Sequence, residues 1–170
     1  MKRGRSTAPF LGALVALGVL GGLPVPGAEV AAAAELKLQT VPARDAMTVL
    51  RAVAGVRHLE IVDEHALATT DGAEAVAVAT AVIEAIEHPS AVTAEIPTRA
   101  LGDGSALASV LLDRASPSEV LTALRKLRIA HIAVLSQPAV VTLRDTPEKL
   151  MLALDAVREL ESVRGRQRDA

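Results

Sequence analysis

Histidines are the side chains best suited to metal binding or proton transfer near neutral pH, and the chain has four: His58, His65, His88 and His131. His58 and His65 bracket a predicted strand and turn with Asp63 and Glu64 beside them, a loose cluster of nitrogen and oxygen donors. No His-x-x-x-His or Glu-x-x-His pair puts two ligands on one helical face, so these residues read as solvated surface groups. His131 reads as an edge or half-buried strand residue. Ser105 follows Gly102-Asp103-Gly104 but lacks the Gly-x-Ser-x-Gly elbow of a strained serine nucleophile. The same segment could cradle a phosphate through its amides, yet no strand precedes it and no Lys-Ser/Thr follows, and it reads as a turn. With no cysteine in the chain, thiolate zinc sites, cysteine nucleophiles and disulfide frameworks are excluded. No catalytic, cofactor-binding or metal residue is assigned. The alternative function kept open is a small periplasmic enzyme or metal-binding protein using the His58/His65 region.

The cationic side chains suggest contact instead. Arg51 and Arg125 sit at matching places just beyond a helix stripe, with Arg57 and Arg128 close by. A repeated surface arginine can meet an acidic neighbour, although favourable charge near a helix C-terminus is the preferred explanation. Arg144, Lys149 and Arg158 complete the candidate partner contacts.

These residues must be positioned by a repeated scaffold. Displacing the chain by 74 residues lays Arg44-Asp45-Ala46-Met47-Thr48-Val49-Leu50-Arg51 over Ser118-Glu119-Val120-Leu121-Thr122-Ala123-Leu124-Arg125, without a gap. The same displacement lays Thr70-Asp71-Gly72-Ala73-Glu74 over Arg144-Asp145-Thr146-Pro147-Glu148. Alanine-rich segments match by chance, so the charged and turn positions carry the argument for duplication.

Each copy presents one order of signals. In the first, Leu36 and Leu38 alternate with polar residues as a strand. Pro42 opens a helix with Ala46, Val49, Leu50 and Val53 on one stripe and Gly55 as its left-handed stop. Leu59 and Ile61 alternate along a second strand, and Ala66 to Thr70 forms a third, making a hairpin. Asp71 and Glu74 are expected to form a capping box for a helix burying Val76, Ala79, Val82, Ile83 and Ile86, ended by His88-Pro89. In the second copy the strand is Ser109 to Leu112. Ser116, Pro117 and Glu119 start a helix burying Val120, Leu121, Leu124 and Leu127. Strands Ala130 to Leu135 and Val140 to Arg144 flank the turn Ser136-Gln137-Pro138. A last helix, capped by Asp145 or Thr146, buries Leu150, Met151, Leu154, Val157 and Leu160. A three-stranded sheet with two helices on one face buries every stripe at once.

The predicted fold is α+β: two tandem βαββα modules, over 35–88 and 109–161, following an N-terminal signal helix. Residues 89–108 read as a linker in which Ala91 to Ile96 could add an edge strand. Residues 162–170 have no apolar stripe and read as a disordered tail. At the N-terminus, Lys2, Arg3 and Arg5 precede an apolar run from Phe10 to Leu23, the layout of a secretory signal. That run is shorter than the roughly 20 residues needed to span a bilayer, which favours cleavage, near Ala34 or alternatively Ala28, over retention as an anchor. The chain is then periplasmic or otherwise exported, and meets a membrane through this segment alone if it stays uncleaved. Loss of three positive charges and one negative takes the formal net from −2 to −4. An acidic chain with no aromatic residue beyond Phe10 is a poor nucleic-acid partner.

The segments LQTVPARDAMTVLRAVAGVRHLEIVD and VVTLRDTPEKLMLALDAVREL, with its counterpart TTDGAEAVAVATAVIEAI, resemble the periplasmic N-terminal repeat domains of secretins. In those domains a strand leads into a helix that begins near a proline or acid, and a later strand ends in an RDTP-E turn before the second helix. The resemblance covers most of residues 35–161. It implies ring-building βαββα modules that bind envelope proteins, themselves or exported substrates. The secretin gate needs many long alternating strands, and nothing after Leu160 supplies them. The resemblance therefore implies a non-enzymatic, cofactor-free accessory or assembly component of an envelope secretion or pilus-type complex.

Overall fold

The computed structural model describes residues 33–93 and 95–168, so the predicted signal helix lies outside the described residues. The first module runs β1 (Ala34–Lys37), α1 (Ala43–Val49) with a π-helical extension (Leu50–Ala54), β2 (Leu59–Asp63), β3 (Ala66–Thr69) and α2 (Ala73–Glu87). Two short strands follow, β4 (Ser90–Ala91) and β5 (Arg99–Ala100). The second module is β6 (Ala106–Leu111), α3 (Pro117–Lys126), β7 (His131–Ser136), β8 (Ala139–Asp145) and α4 (Pro147–Arg168).

The α+β class and the repeated topology hold. The first sheet has the order β1-β3-β2 and the second contains β6-β8-β7, so each hairpin inserts its returning strand in the middle of an antiparallel trio. The second sheet has five strands rather than three, because β4 pairs parallel and β5 antiparallel with the outer edge of β6. The expected linker 89–108 therefore contributes two two-residue edge strands, at Ser90–Ala91 and Arg99–Ala100 rather than along Ala91 to Ile96, and its end opens β6. The expected disordered tail is helix as far as Arg168, since Glu161 and Gly165 remain buried against the strand–helix loop of the module.

The displacement of 74 relates β1 to β6, α1 to α3, β3 to β8 and α2 to α4, but it is not gapless in between. The left-handed stops are Gly55 at φ +74° and Arg128 at φ +55°, only 73 apart. The first helix thus holds one extra residue, and the π-helical turn over Leu50–Ala54 absorbs it. Val62 is a second extra residue, bulged between the Ile61–Leu67 and Asp63–Ala66 pairs. The β7–β8 hairpin, one rung longer up to its Ser136–Ala139 pair, restores the register.

Four layers result: first sheet, α1 with α2, second sheet, α3 with α4. Alternation along the second sheet explains the stack. One face offers Ala108, Val110, Ile132, Val134, Val141 and Leu143 to α3 and α4. Its other face packs Leu107, Ala133, Leu135 and Val140 into one cluster with α1 and α2. With both faces covered, β6 is buried continuously from Ala106 to Val110, where a one-faced strand would alternate. Leu50, Val53, Val82 and Ala79 are fully buried in the sandwiched layer, and each of the leucine and valine side chains contributes about 1.5–3 kcal/mol by leaving water. Ser109 and Thr142, facing this layer as a cross-strand pair, satisfy each other by a 3.0 Å hydrogen bond.

Three expected core positions are corrected. Met151 (64% exposed) points to solvent, and Ala153 takes its place in the core. Leu127 (38% exposed) is the C-cap residue just past α3 rather than part of its stripe, because the chain turns left-handed at Arg128 and Ile129 is buried instead. Ile61 (43% exposed) faces the core side opposite Leu67 but lies on the outermost strand.

Candidate functional site

Residues repeated between the modules come first, since duplication singled them out. Glu87, at the end of α2, accepts backbone N–H bonds from Gln39 (3.0 Å), Thr40 (2.9 Å) and Val41 (3.2 Å), and the Thr40 hydroxyl. Its counterpart Glu161 accepts from Asp113 (3.0 Å), Arg114 (2.8 Å) and Ala115 (3.1 Å). Each carboxylate ties the loop between first strand and first helix to the second helix, and all partners sit at the same displacement of 74. Burial pushes the Glu87 carboxyl up, but its hydrogen bonds, led by Thr40, outweigh this and hold it below the ordinary glutamate value. Sequence reading missed these latches, although the recurrence of Glu87 at Glu161 was their visible signal.

Asp71 and Asp145 form a second repeated pair. Asp71 is not the expected helix cap: the N-cap of α2 is Gly72, with no side-chain cap. Asp71 instead accepts from the amides of Arg57 (2.7 Å) and His58 (3.2 Å) and pairs with His58 Nδ1 at 2.8 Å. The His58 ring bond, reinforced by the two amides, lowers the Asp71 pKa to about 2. Asp145, the last residue of β8, accepts from Ala130 (2.7 Å) and Thr146 (2.8 Å), with Lys149 at 3.7 Å. Burial raises the Asp145 pKa, and these partners bring it below the ordinary value. The capping box is real at α3, where Ser116 and Glu119 satisfy each other's backbone amides.

The candidate partner contacts separate into two groups. Arg51, Arg125 and Arg158 are exposed, on the last turn of the first helix, the last turn of α3, and the outer side of α4. Arg158 pairs with Asp155 at 3.0 Å. Arg144 is instead folded inward, correcting its reading as a contact residue. Its guanidinium donates to the carbonyls of Val53 (3.0 Å) and Ala54 (3.3 Å), to Ser105 Oγ (3.0 Å) and to Asp103 Oδ2 (2.5 Å). It thereby caps the first module's helix from the second module's sheet, beside His131 Nδ1, which donates to the Ala52 carbonyl at 3.2 Å. The Ser105 hydroxyl and Arg144 hold Asp103 well below the carboxylate range. The Gly102–Ser105 turn is thus an anchoring device. Lys149 donates to the Arg128 carbonyl at 3.3 Å, a similar cap at the end of α3.

His58 and His65 precede and follow β2. A five-residue strand rising about 3.3 Å per residue separates them by more than one ion can bridge. Among the described residues, no three His, Asp or Glu side chains converge as a metal site would require, and no helix is long and apolar enough to cross a membrane.

Both modules carry a groove where the first strand meets the second helix. In the first it measures about 250 Å³, beside Lys37, Glu84 and Glu87. In the second it widens to about 960 Å³ and is lined by Ala91, Val92, Leu111, Leu112, Pro138 and Arg158, among others. A second concavity of about 530 Å³ lies between α3 and α4, over Ala123, Leu127, Ala156 and Leu160. These surfaces are aliphatic with charged rims, suited to receiving side chains of another protein. Comparison with protein-family models, curated proteins and solved structures finds no significant match to the chain.

Proposed function

We propose that the protein is an exported, non-enzymatic protein-interaction module similar to secretin N-terminal domains, an accessory or assembly component of an envelope secretion or pilus-type complex. The observation that carries this reading is how the duplicated polar residues are spent. Glu87 with Glu161, and Asp71 with Asp145, are bonded to backbone amides of their own modules. Conserving these bonds keeps two copies of one scaffold rigid and leaves the outward faces, with Arg51, Arg125 and Arg158, to meet other proteins. The signal-like N-terminus supplies the address, and β1 begins at Ala34, the favoured cut.

Photo-crosslinking from Arg51 and Arg125 positions in intact cells, followed by mass spectrometry, tests the reading. Adducts with envelope-complex proteins are the expected result. Uncrosslinked protein alone, under conditions that capture known envelope complexes, would overturn it. Cell fractionation with N-terminal sequencing tests the address: a mature chain beginning at or before Glu35 outside the cytoplasm is expected, and an intact cytoplasmic chain would refute export.

A further inference from the structure

The four-layer stack ends differently on its two sides. Its sheet end is closed by charge, because the outer face of the first sheet carries Glu35, Lys37 and Glu60, all exposed. Its helix end carries an exposed apolar strip between charged residues. On α3 and α4, Leu152 (61%), Leu127 (38%) and Val163 (36%) are exposed around the concavity over Ala123 and Ala156. The repeat indicates what such a face is for. The positions matching Leu152, Ala156 and Leu160 are Val78, Val82 and Ile86 of α2, all buried within the sandwiched layer.

We propose that the α3/α4 layer is a two-fold self-association face, covered by the same face of a second copy of this chain; the inference rests on the reading that the protein works through protein contacts. Three features select that occupant. Both signs of charge flank the apolar strip, Arg125 and Lys126 on α3 against Asp155 and Glu159 on α4. An isologous contact, in which each copy offers the other the same patch, needs that self-complementarity. Head-to-tail stacking would instead bury the apolar strip against a sheet face that carries Glu35, Lys37 and Glu60, charges that an apolar surface does not satisfy. A two-fold contact joins the two apolar strips and leaves a charged sheet at each outer end, the arrangement by which stacked repeats terminate.

Sedimentation analysis of the purified full chain tests this, at about 100 μM, where an assembly with a micromolar constant is mostly formed. A mass twice the 17.6 kDa of one chain is expected. L152D and L127D, with unchanged circular dichroism, should each weaken association at least about tenfold, as removal of a central contact does. Because the chain has no cysteine, L152C should give a covalent dimer with a short bis-maleimide and E60C should not. A monomer at that concentration, a dimer indifferent to L152D and L127D, or crosslinking from E60C would each overturn the proposal. A monomer that still forms crosslinks to envelope proteins in cells would remove the two-fold face while keeping the interaction reading.

Discussion

The helix layer of the first module lies between two sheets, whereas that of the second meets one sheet and solvent, and the helices are written accordingly. Across α2, Val78, Ala79, Ala81, Val82, Ile83 and Ile86 are buried, a spread wider than one stripe. Across α4 the matching outward positions of Ala81 and Ala85 have become Asp155 and Glu159. A helix covered on two sides needs apolar residues nearly all round, and a helix covered on one side needs a polar back. One topology thus serves two packing environments, and neighbours rather than secondary structure set the composition.

The sharpest way to break the comparison is a matched pair of substitutions. Val82→Asp buries a carboxylate between two sheets and should cost more than about 4 kcal/mol or prevent folding. Its repeat mate Ala156→Asp should cost under about 1 kcal/mol in the dilute monomer. Urea unfolding of both variants decides. If the two costs are equal, the two layers are not differently covered.

Next in size is the pair of glutamate latches. Glu161→Ala should cost about 2–3 kcal/mol and Glu87→Ala about 1–2 kcal/mol, because Glu161 is buried and Glu87 half-buried and each loses charge-assisted hydrogen bonds. The order of the two unfolding midpoints is the readout. Deleting one residue separates the first helices. Removing Arg51 should convert the π-helical turn to α-helix for about 1–2 kcal/mol, while removing Arg125 from the regular α3 rotates its C-terminal end by about 100° and should be worse. Equal losses would mean that the π-helical turn does not accommodate the additional residue.

A smaller effect is expected at the caps, where Ser116→Ala should cost about 1 kcal/mol. Residue Pro42 at the matching N-cap of α1 offers no side-chain bond, so Pro42→Ala should lack this loss. Acid provides the gentlest probe. Asp71 titrates at about 2 in the folded chain against an ordinary 3.8. A depressed acid stabilises the fold above the ordinary value and loses that contribution as pH falls through its folded value. The stability gap between wild type and Asp71→Asn, measured by urea unfolding, should therefore shrink between pH 4 and pH 2. A gap unchanged over that window would mean that the His58 pair does not hold the carboxylate.

Local signals were legible where a residue's own backbone decides the outcome. Gly55 adopts the left-handed stop that its lack of a Cβ favours, and Ser116 caps the start of α3 as expected, with Glu119 completing a capping box. Signals failed where an acid had two candidate partners. Asp71 stands beside a helix start, yet the amides of Arg57 and His58, brought close by the β2–β3 pairing, claim it instead. Arg144 looks like a surface charge in sequence and becomes an inward clamp because β8 aims it at carbonyls 90 and 91 positions away. Among the candidate contacts, only the positions at helix ends and outer faces kept the exposure that their local pattern suggests.

The sequence by itself determined the duplicated order of elements, since apolar periodicity and turn chemistry act within a few residues and recur at a fixed displacement. It also held the clue to the sandwich, in an α2 rich in alanine and valine on every side. Only the tertiary structure decided that the second sheet would be covered on both faces and that β4 and β5 would join it. Those outcomes depend on which apolar surfaces meet, and the burial that selects among them is gained only when segments distant in the chain come together.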